Sequence, residues 1–584
     1  MTATERAGSL DCDLLVVGGG AAGLAGAVTA AYHGLSVVVA EKAPVLGGAT
    51  SWSGGWMWAP LNPLSQADGV IEDVDAPRTY LEHALGDHYD EPRVEALLEN
   101  ARHMVGFFEK QTRLQFVSGT WIADIQGDLP GAGTGGRSVA PKPINLRRIP
   151  KRLRPKLRTQ LYETSFLGMG IMAGPDLQAF LHATTSGRGF CHTAWRVAFH
   201  VLDVVTHRQG MQLVNGTALI ARLARSADDL GVRLLVNTPA SRLLIQDGSV
   251  TGAVLSAPEG EITVRARRGV LLAAGGFPND VARRRELFPR TPTGREHWTL
   301  APPETTGDGI TLGESAGGLF DTSLASPAAW CPVSLVPYRS GRVGTYPHIV
   351  DRGKPGLIAV LSDGRRFVNE ADGYYQFTSA MIASAPDGEE VAAWLICDHT
   401  FQRRYPFGMS KPFPVPVWPY LRSGYLTRGR TLEDLARKCG IDPAGLADTV
   451  AAFNVHAAVG EDPRFGRGRS AFNRGSGDPD HEPNPSLAPI EKGPFYAIKV
   501  LPGSFGTFAG LKADAQSRVL TGEGEPVPGL YVAGSDQASV MGGHYPSGGI
   551  NLGPAMTFGY IAGRHAAGVA EYEDVVPVPL NDGD

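Results

Sequence analysis

A glycine-rich stretch near the start of the chain, residues 14–41, constrains the fold more than any other feature. Two apolar runs flank the glycines Gly18, Gly20 and Gly23, and the second run ends at Glu41. This pattern predicts a strand, a turn, a helix and a second strand, in which Gly18 forms the turn, Gly20 lets the backbone approach a pyrophosphate and Gly23 allows close helix packing. Phosphates would lie at the helix N-terminus, and Glu41 would bind an adenosine ribose. The stretch therefore predicts a dinucleotide site.

Three more segments indicate which dinucleotide is bound. The segment 47–55, GGATSWSGG, resembles the stretch that lies along the FAD pyrophosphate and the flavin edge in one large group of flavoproteins. The segment 529–536, GLYVAGSD, has the pattern of a buried strand that ends in glycine and an acid, and 267–277, RRGVLLAAGGF, resembles the strand and turn that end the middle part of such domains. We therefore predict FAD. The residues expected to contact it are Gly18, Gly20, Ala21, Ala22, Gly23, Glu41, Lys42, Gly48, Ala49, Thr50, Ser53, Gly54, Gly55, Ala274, Gly275, Gly534, Asp536, Gly549, Asn551 and Leu552.

The bulk composition limits the classes of function. The chain has 584 residues, a formal net charge of −5 and an isoelectric point of about 6.3, so nothing indicates a nucleic-acid partner. Its five cysteines form no C-x-x-C pair, which is typical of a reducing compartment and predicts no structural metal. The first residues, MTATERAGSL, lack the basic and apolar regions of a signal peptide. We therefore expect a cytoplasmic protein without a metal site.

The pattern along the chain predicts an α/β protein with a discontinuous domain. Residues 1–299 carry the first part of a Rossmann-like FAD-binding domain. The sequence pattern of residues 300–487 differs from that of residues 1–299: it predicts proline-rich loops, a strand at 357–361 and a helix near 432–439. We predict that they form an inserted α+β domain that caps the substrate and contributes to catalysis. Residues 488–584 return to the earlier patterns and complete the FAD-binding domain.

The segment 147–158, RRIPKRLRPKLR, is strongly basic. It contains seven basic residues and no acid, and its two prolines disfavour a regular helix. Two interpretations are open. The segment is either a solvated loop or a surface that contacts anionic lipid, where a poorly soluble substrate would be collected.

A segment near the C-terminus carries the most specific pattern. In residues 542–559, GGHYPSGGINLGPAMTFG, Tyr545 precedes a glycine pair and a run suited to begin a helix, so free N–H groups would face a ligand. The same chain contains GPFY at 493–496 and FVNE at 367–370, which is followed by Tyr374. Together with the FAD motifs, these blocks resemble the 3-ketosteroid dehydrogenase branch of the flavoproteins that also include soluble fumarate reductases and succinate dehydrogenase.

The resemblance implies a reaction and three residue roles. Members of this branch introduce a carbon–carbon double bond beside a ketone, and flavin N5 accepts the hydride. In the steroid enzymes a tyrosine and a glycine N–H polarise the ketone, which match Tyr545 and Gly549 here, and a second tyrosine, matching Tyr374, is the base. Because the ordinary pKa of tyrosine is about 10, this base role requires surroundings that lower the pKa. The expected partners are a small apolar ketone, such as a 3-ketosteroid, and an electron acceptor that the sequence does not identify.

One loop departs from the family pattern. The steroid enzymes have a third tyrosine, which supports the base, in a loop that aligns with residues 121–127, where this chain has no tyrosine. Either Tyr375, Tyr346 or Tyr338 supplies that support, or the substrate and the position of the new double bond differ. The second option leaves open an ene-reductase or a dehydrogenase of a smaller, non-steroid cyclic ketone or acid.

Two further alternatives come from the same group of flavoproteins. Fumarate reductase-like members bind dicarboxylates with arginines, one of them just before the last glycine pair. This chain has no arginine between Arg518 and Arg564, so a small dicarboxylate is not expected. The covalent histidine of succinate dehydrogenase is missing from residues 50–54, which predicts noncovalent FAD. An electron-carrying flavoprotein subunit is the alternative of another class, because it would not need Tyr374 and Tyr545.

Overall fold

Two β-sheets form the framework of the protein. The computed structural model describes residues 8–184 and 186–569, so Thr185 and the ends of the predicted FAD-binding segments, 1–7 and 570–584, lie outside the described residues. Within this range the first sheet has eight strands. Five of them are parallel, in the order Pro526–Val532, Gly260–Leu272, Ser9–Val17, Val37–Ala40 and Arg233–Leu235. The antiparallel strands are Arg518–Leu520, Ser249–Ala257 and Ala240–Gln246.

The N-terminal glycine stretch adopts the predicted unit. The strand Ser9–Val17 ends in a turn at Gly18, the helix Ala21–Tyr32 follows, and Val37–Ala40 returns parallel to the first strand. Gly18 has a φ of +113°, and a Cβ atom there would lie 2.1 Å from the carbonyl oxygen of Ala273, so the position requires glycine. The turn brings the helix N-terminus to the carboxyl end of the sheet, which is where open α/β sheets bind ligands.

The second sheet belongs to the inserted domain. Among the described residues it has seven strands, and Phe495–Thr507 lies at its centre. The other strands are Trp298–Thr299, Ala328–Pro337, Val343–Pro347, Leu357–Val360, Ala393–Cys397 and Thr427–Gly429. The strand expected at 357–361 and the helix expected near 432–439 are present as Leu357–Val360 and Leu432–Cys439. The fold is therefore a Rossmann-like domain with an inserted α+β cap.

The strand Phe495–Thr507 bears on the predicted domain limits. It lies within the segment 488–584, yet three of its sheet partners lie in the predicted cap, and the fourth, Trp298–Thr299, directly precedes the cap. We propose that the chain returns to the FAD-binding domain after Thr507 rather than at residue 488, because hydrogen-bonded strands of one sheet form one structural unit. The boundary near residue 300 stays as predicted from the sequence.

Helices cover the first sheet and the cap. Asn215–Asp229 and Leu552–Ala567 pack against Ala21–Tyr32. The remaining helices of the described residues are Pro63–Ala67, Ala76–Leu85, Glu91–Gln111, Pro175–Leu181, Gly187–His207, Val281–Leu287, Asp308–Ser315, Tyr374–Ser384, His399–Arg404, Trp418–Arg422, Pro443–Ala457 and Ala471–Ser476. Short strands form three small sheets, Met57–Trp58 with Phe116–Ser118 and Ser138–Pro141, Ile144–Asn145 with Gln212–Leu213, and Phe320–Asp321 with Gly510–Leu511. In the described part of the chain, no helix has the length and apolar character needed to cross a bilayer.

Candidate active site

One cavity of about 1150 Å³ extends from the glycine turn to the cap. Both predicted catalytic tyrosines, Tyr374 and Tyr545, line it. The predicted cofactor residues in its lining are Gly18, Gly20, Ala21, Ala22, Glu41, Lys42, Gly48, Ala49, Thr50, Ser53, Gly54, Gly55, Ala274, Gly275, Gly534, Gly549, Asn551 and Leu552. The cavity therefore joins segments that lie hundreds of residues apart in the sequence.

Two predicted cofactor residues, Gly23 and Asp536, are absent from the described cavity lining. Gly23 lies in the first turn of its helix, where a Cβ atom would be 2.0 Å from the carbonyl oxygen of Gly18, so its role here is close packing. The buried carboxylate of Asp536 accepts hydrogen bonds from the N–H groups of Ala274, at 2.5 Å, and Gly276, at 2.8 Å. Burial raises the pKa of Asp536 to about 6. Asp536 thus holds a turn that lines the cavity.

The Glu41 carboxylate lies at the end of the second strand of the nucleotide unit. Its two oxygens accept hydrogen bonds from the N–H groups of Gly19 and Ala43, each at 2.8 Å, and burial raises its pKa. A carboxylate offers about four acceptor positions, so two are left for ribose hydroxyls. The ammonium of the next residue, Lys42, pairs with Asp308 at 2.8 Å.

The residues at the glycine turn fit FAD. Gly20 has extended backbone, and the nearest atom to a Cβ placed there is Thr50 Oγ1 at 3.8 Å, so this side of the helix N-terminus opens onto the cavity. The first N–H groups of a helix have no intrahelical acceptor and attract phosphate. The Thr50 hydroxyl, which accepts from the N–H of Ala21 at 3.3 Å, adds a polar group beside them. These groups would hold the pyrophosphate, and Glu41 would hold the ribose.

Tyr374 and Tyr545 are in edge contact inside the cavity. Their ring centroids are 4.9 Å apart and their planes meet at 79°. This is the edge-to-face arrangement that aromatic pairs prefer. Phe505 packs on Tyr374 with centroids 5.1 Å apart, and Tyr375 stacks on Tyr545 at 6.2 Å. The cap thus supplies one tyrosine, and the segment before Leu552–Ala567 supplies the other.

The Tyr545 hydroxyl has a polar neighbour on each side. Its oxygen accepts a hydrogen bond from Asn551 Nδ2 at 3.2 Å, and the Tyr374 hydroxyl interacts with it from the cap side. A tyrosine hydroxyl carries one proton that it can donate, so Tyr545 can donate to a ligand in the cavity. This geometry suits a donor to a carbonyl oxygen.

The surroundings of Tyr374, the predicted base, raise its pKa, whereas the base role requires a lowered pKa. Burial raises the pKa of Tyr374, and its contact with Tyr545 raises it further. The buried guanidinium of Arg352 lowers it, but the net direction is upward. Burial also raises the pKa of Tyr545. A cation near Tyr374 was expected from the sequence, and Arg352 is that cation. Its lowering effect on the pKa of Tyr374 is smaller than the raising effect of burial.

Gly549 offers a backbone donor in the same cavity. Its φ is +94°, and an added Cβ would lie 2.7 Å from the backbone nitrogen of Trp58. The Gly549 carbonyl accepts hydrogen bonds from the N–H groups of Trp58 and Gly553, whereas none of the described residues accepts one from its own N–H. The Gly549 N–H is therefore available to a ligand.

The loop 121–127, where the family tyrosine is missing, does reach the cavity. Trp121 and Ile122 line it, and the N–H of Ile125 donates to the carbonyl of Pro546, next to Tyr545, at 2.9 Å. Among the three candidate substitutes for the missing tyrosine, Tyr346 lines the cavity, whereas Tyr375 and Tyr338 do not. The last two hydroxyls donate instead to the Gly543 carbonyl and to Glu163.

Sequence reasoning missed most of the cap residues in the cavity wall. These include Arg352, Lys354, Lys411, Phe413 and Phe505. None of them belongs to a recognisable motif, and basic residues in proline-rich loops are ordinary at protein surfaces. Only the fold shows that these loops turn inward.

One group of residues in the described chain has the spacing of a metal site. His182, Asp478 and Asp480 place ligand atoms within 4.8 Å of one another. Asp478, however, is already bound by Arg404 and by the Tyr405 hydroxyl, each at 2.6 Å. The absence of a metal stays a prediction from the sequence.

Comparison with known proteins agrees with this geometry. The chain matches the FAD binding domain family over residues 13–552. It is 41% identical to 4-oxocyclohex-2-ene-1-carboxylate 5-dehydrogenase of Sinomonas cyclohexanicum, with 96% of this chain and 95% of that protein aligned. It is 35% identical to 3-oxosteroid 1-dehydrogenase of Mycobacterium tuberculosis, over 95% and 98% of the two chains.

A solved structure shows the same fold. The crystal structure of 3-ketosteroid Δ1-dehydrogenase from Sterolibacterium denitrificans, in complex with 1,4-androstadiene-3,17-dione, has a TM-score of 0.88 and 34% identity, and the match covers 96% of this chain and all of that one. The flavin-binding geometry, the matched family and these relatives lead to one conclusion: the chain belongs to the FAD-binding flavoprotein family that includes the 3-oxosteroid 1-dehydrogenases, and it is an FAD-dependent dehydrogenase.

Proposed function

We propose that the protein removes two hydrogens from adjacent carbons of a cyclic ketone and forms a double bond conjugated with the carbonyl. The observation that supports this most is the contact between Tyr374 and Tyr545 in the same cavity as the FAD-binding turn. An electron-carrying subunit would have no use for two tyrosines and a free N–H in the cavity. The names of the two relatives, which describe a cyclohexene ketone acid and 3-oxosteroids, support a cyclic ketone.

The proposed roles follow from the donors and acceptors. The Tyr545 hydroxyl and the Gly549 N–H donate to the carbonyl oxygen, which stabilises the negative charge that develops there. That polarisation acidifies the neighbouring C–H group, whose proton Tyr374 accepts as the base. Bound FAD supplies the hydride acceptor. Tyr346, which lines the same cavity, supports the base in place of the tyrosine that loop 121–127 lacks.

Anaerobic mixing with ketones tests this function. The holoprotein is mixed with 4-androstene-3,17-dione, with cyclohexanone and with 4-oxocyclohexanecarboxylate, and the visible flavin absorbance is followed. We expect at least one ketone to bleach the flavin, because hydride transfer reduces it. If none of the three changes the absorbance while dithionite still reduces the flavin, the electron-carrying subunit becomes the better explanation.

We also propose that a surface next to the basic segment contacts a membrane. The helix Gly187–His207 exposes seven large apolar side chains, with exposed fractions from 40% to 75%. They are Phe190, Trp195, Phe199, Val201, Leu202, Val204 and Val205. On the side that faces the protein, Arg196 pairs with Asp176 at 2.8 Å and Asp203 with Arg147 at 3.1 Å. An exposed apolar face of this size suits insertion into a lipid interface.

The basic segment 147–158 is partly engaged in ion pairs within the chain. Three of its arginines pair with acids of the same chain: Arg147 with Asp203, Arg152 with Asp228 and Arg158 with Glu304. These pairs neutralise three of its seven basic residues, and the first of them joins the segment to the helix Gly187–His207. In this proposal the apolar face of the helix carries the lipid contact, and the segment borders it.

Vesicle co-sedimentation tests the lipid contact. We expect the holoprotein to pellet with vesicles of phosphatidylcholine and phosphatidylglycerol, and the double variant Trp195→Gln, Phe199→Gln to stay in the supernatant, because apolar burial drives interfacial binding. Val455→Gln with Val459→Gln, which changes two exposed valines elsewhere, is the matched control. A wild-type protein that stays soluble with vesicles, or that forms a dimer through this helix in light scattering, would contradict the proposal.

A further inference from the structure

Lys411 is a cation in the cavity wall without a partner. It lies in the loop that follows the helix His399–Arg404, and it lines the cavity together with Pro412 and Phe413. No residue in 8–184 or 186–569 accepts a hydrogen bond or an ion pair from its ammonium group. Burial lowers the pKa of Lys411 to about 8, so the group remains mostly protonated at pH 7. The side chain is half-buried, and a partly desolvated ammonium without an anionic partner is stabilised when an anion reaches it.

The other basic residues of the cavity differ from Lys411. Lys42, Arg158 and Arg404 form ion pairs with Asp308, Glu304 and Asp478. Arg352 and Lys354 donate to backbone carbonyls, and Arg474 is exposed. The acids of the cap wall are also engaged: Glu370 is bound by Arg366 and Arg467, and Asp372 accepts a hydrogen bond from Asn473. Lys411 is thus a half-buried cation of the described cavity wall with capacity left for a ligand.

The loop that carries Lys411 is fixed in place. The N–H of Gly408 donates to Asp351 Oδ2 at 2.9 Å, and the N–H of Met409 donates to the Tyr425 hydroxyl at 3.0 Å. His348 bonds to the same Asp351 oxygen at 2.7 Å. Because these partners are buried, the loop presents Lys411 from a preorganised position, as a specificity residue requires.

We propose that Lys411 binds a carboxylate carried by the substrate, so that the preferred substrate is a cyclic keto acid rather than a neutral ketone. This rests on the proposed function, because the carbonyl of the same molecule is bound by Tyr545 and Gly549. The acid group would lie at the cap end of the cavity and the ketone at the flavin end. A charge-assisted hydrogen bond to the ammonium would then orient the ring and select its acid-bearing face.

A structural role for Lys411 is the competing explanation. Asp351 Oδ1 is buried and has no hydrogen-bond partner among the described residues, and its charge acts on Lys411. In that case the lysine would serve the stability of the cap as a distant counter-ion. The two explanations predict different effects on neutral and on anionic ligands.

Calorimetry and flavin bleaching with the holoenzyme separate the two explanations. The ligands are 4-oxocyclohexanecarboxylate, its methyl ester, and cyclohexanecarboxylate, which has the acid but no ketone. We expect wild type to bind both acids more tightly than the ester. We expect Lys411→Met to weaken the binding of both acids by about 10- to 100-fold and to leave the ester unchanged, as the loss of one charged hydrogen bond would do. Lys411→Arg should restore part of the preference, and Lys110→Met, at an exposed lysine, should change nothing.

The outcomes identify which idea fails. Equal affinity of wild type for the acid and its ester, or an equal loss for both in Lys411→Met, overturns the carboxylate site. Tight binding of cyclohexanecarboxylate that depends on Lys411 supports the site even if no ketone bleaches the flavin, a result that would count against the proposed function alone. A lower melting temperature of Lys411→Met with unchanged acid preference assigns the lysine to stability and also overturns the site.

Discussion

Replacing Tyr545 with Phe should slow anaerobic bleaching of the flavin by a ketone substrate by about 10²- to 10³-fold, the usual effect of removing one donor to a developing oxyanion. The reason is the Tyr545 hydroxyl, which lines the cavity and whose oxygen accepts a hydrogen bond from Asn551, so that its proton can be donated to the carbonyl oxygen. Replacing Tyr374 with Phe should slow bleaching by about 10²- to 10⁴-fold through loss of the base. Stopped-flow absorbance of the holoenzyme measures both rates.

The pH dependence separates the two tyrosines. Because burial raises the pKa of Tyr374 above its ordinary value of 10.0, only a small fraction of its phenolate is present at neutral pH. That fraction, and with it the bleaching rate of wild type, should increase as the pH rises from about 7 to 9. Tyr545→Phe should keep this rise at a lower rate, whereas Tyr374→Phe should lose it.

A matched control excludes a general effect of removing a buried hydroxyl. Tyr496 is buried in the cap sheet, outside the described cavity lining, and its hydroxyl contacts His399 at 3.4 Å. Tyr496→Phe should bleach at the wild-type rate, and all three variants should retain the flavin spectrum. Near wild-type bleaching in both Tyr545→Phe and Tyr374→Phe would remove these residues from the proposed site.

The sequence predicts the nucleotide half of the cavity far better than the cap half. At Gly18 the requirement is local, because a turn with φ of +113° between a strand and a helix admits only glycine. Most of the wall near the flavin therefore appears in motifs. Asp536 shows the limit of such motifs: its position was predictable, but the hydrogen bonds that direct its carboxylate to Ala274 and Gly276 depend on the folded sheet.

The cap wall depends on contacts between distant segments. The N–H of Ile125 donates to the carbonyl of Pro546, more than four hundred positions along the chain, and this contact brings loop 121–127 beside Tyr545. Lys411 likewise enters the cavity only because Asp351 and Tyr425 hold its loop. No local pattern encodes these pairings. The tyrosines themselves were found because the resemblance to a family, rather than their spacing, marked them.

Replacing Glu370 with Gln should destabilise the protein by about 3–5 kcal/mol, because it removes the carboxylate from a buried ion cluster. Glu370 is fully buried, and its oxygens accept hydrogen bonds from Arg366, at 2.6 and 2.7 Å, and from Arg467, at 3.1 Å. The N–H of Ala359, in a strand of the cap sheet, donates to the same carboxylate at 3.0 Å. Arg467 is itself fully buried and would lose its nearest carboxylate. Urea titration of the holoprotein, followed by circular dichroism, measures the change in the free energy of unfolding.

The pH dependence of that difference identifies the charge as the cause. Burial alone would raise the pKa of Glu370, but Arg366 and Arg467 outweigh it and hold the pKa below its ordinary value of 4.5. A carboxyl group whose pKa is lowered by folding stabilises the fold above its unfolded pKa and loses that contribution as the pH falls through the folded value. The difference in the free energy of unfolding between wild type and Glu370→Gln should therefore be largest at pH 7 and decrease below pH 4.5. Glu390→Gln, at an exposed pair with Lys499, should cost at most about 1 kcal/mol. If this difference stays constant at acid pH, the substitution destabilises the protein through packing rather than through charge. The ion cluster would then not be the interaction that holds the cap strand against the loop leading to Tyr374.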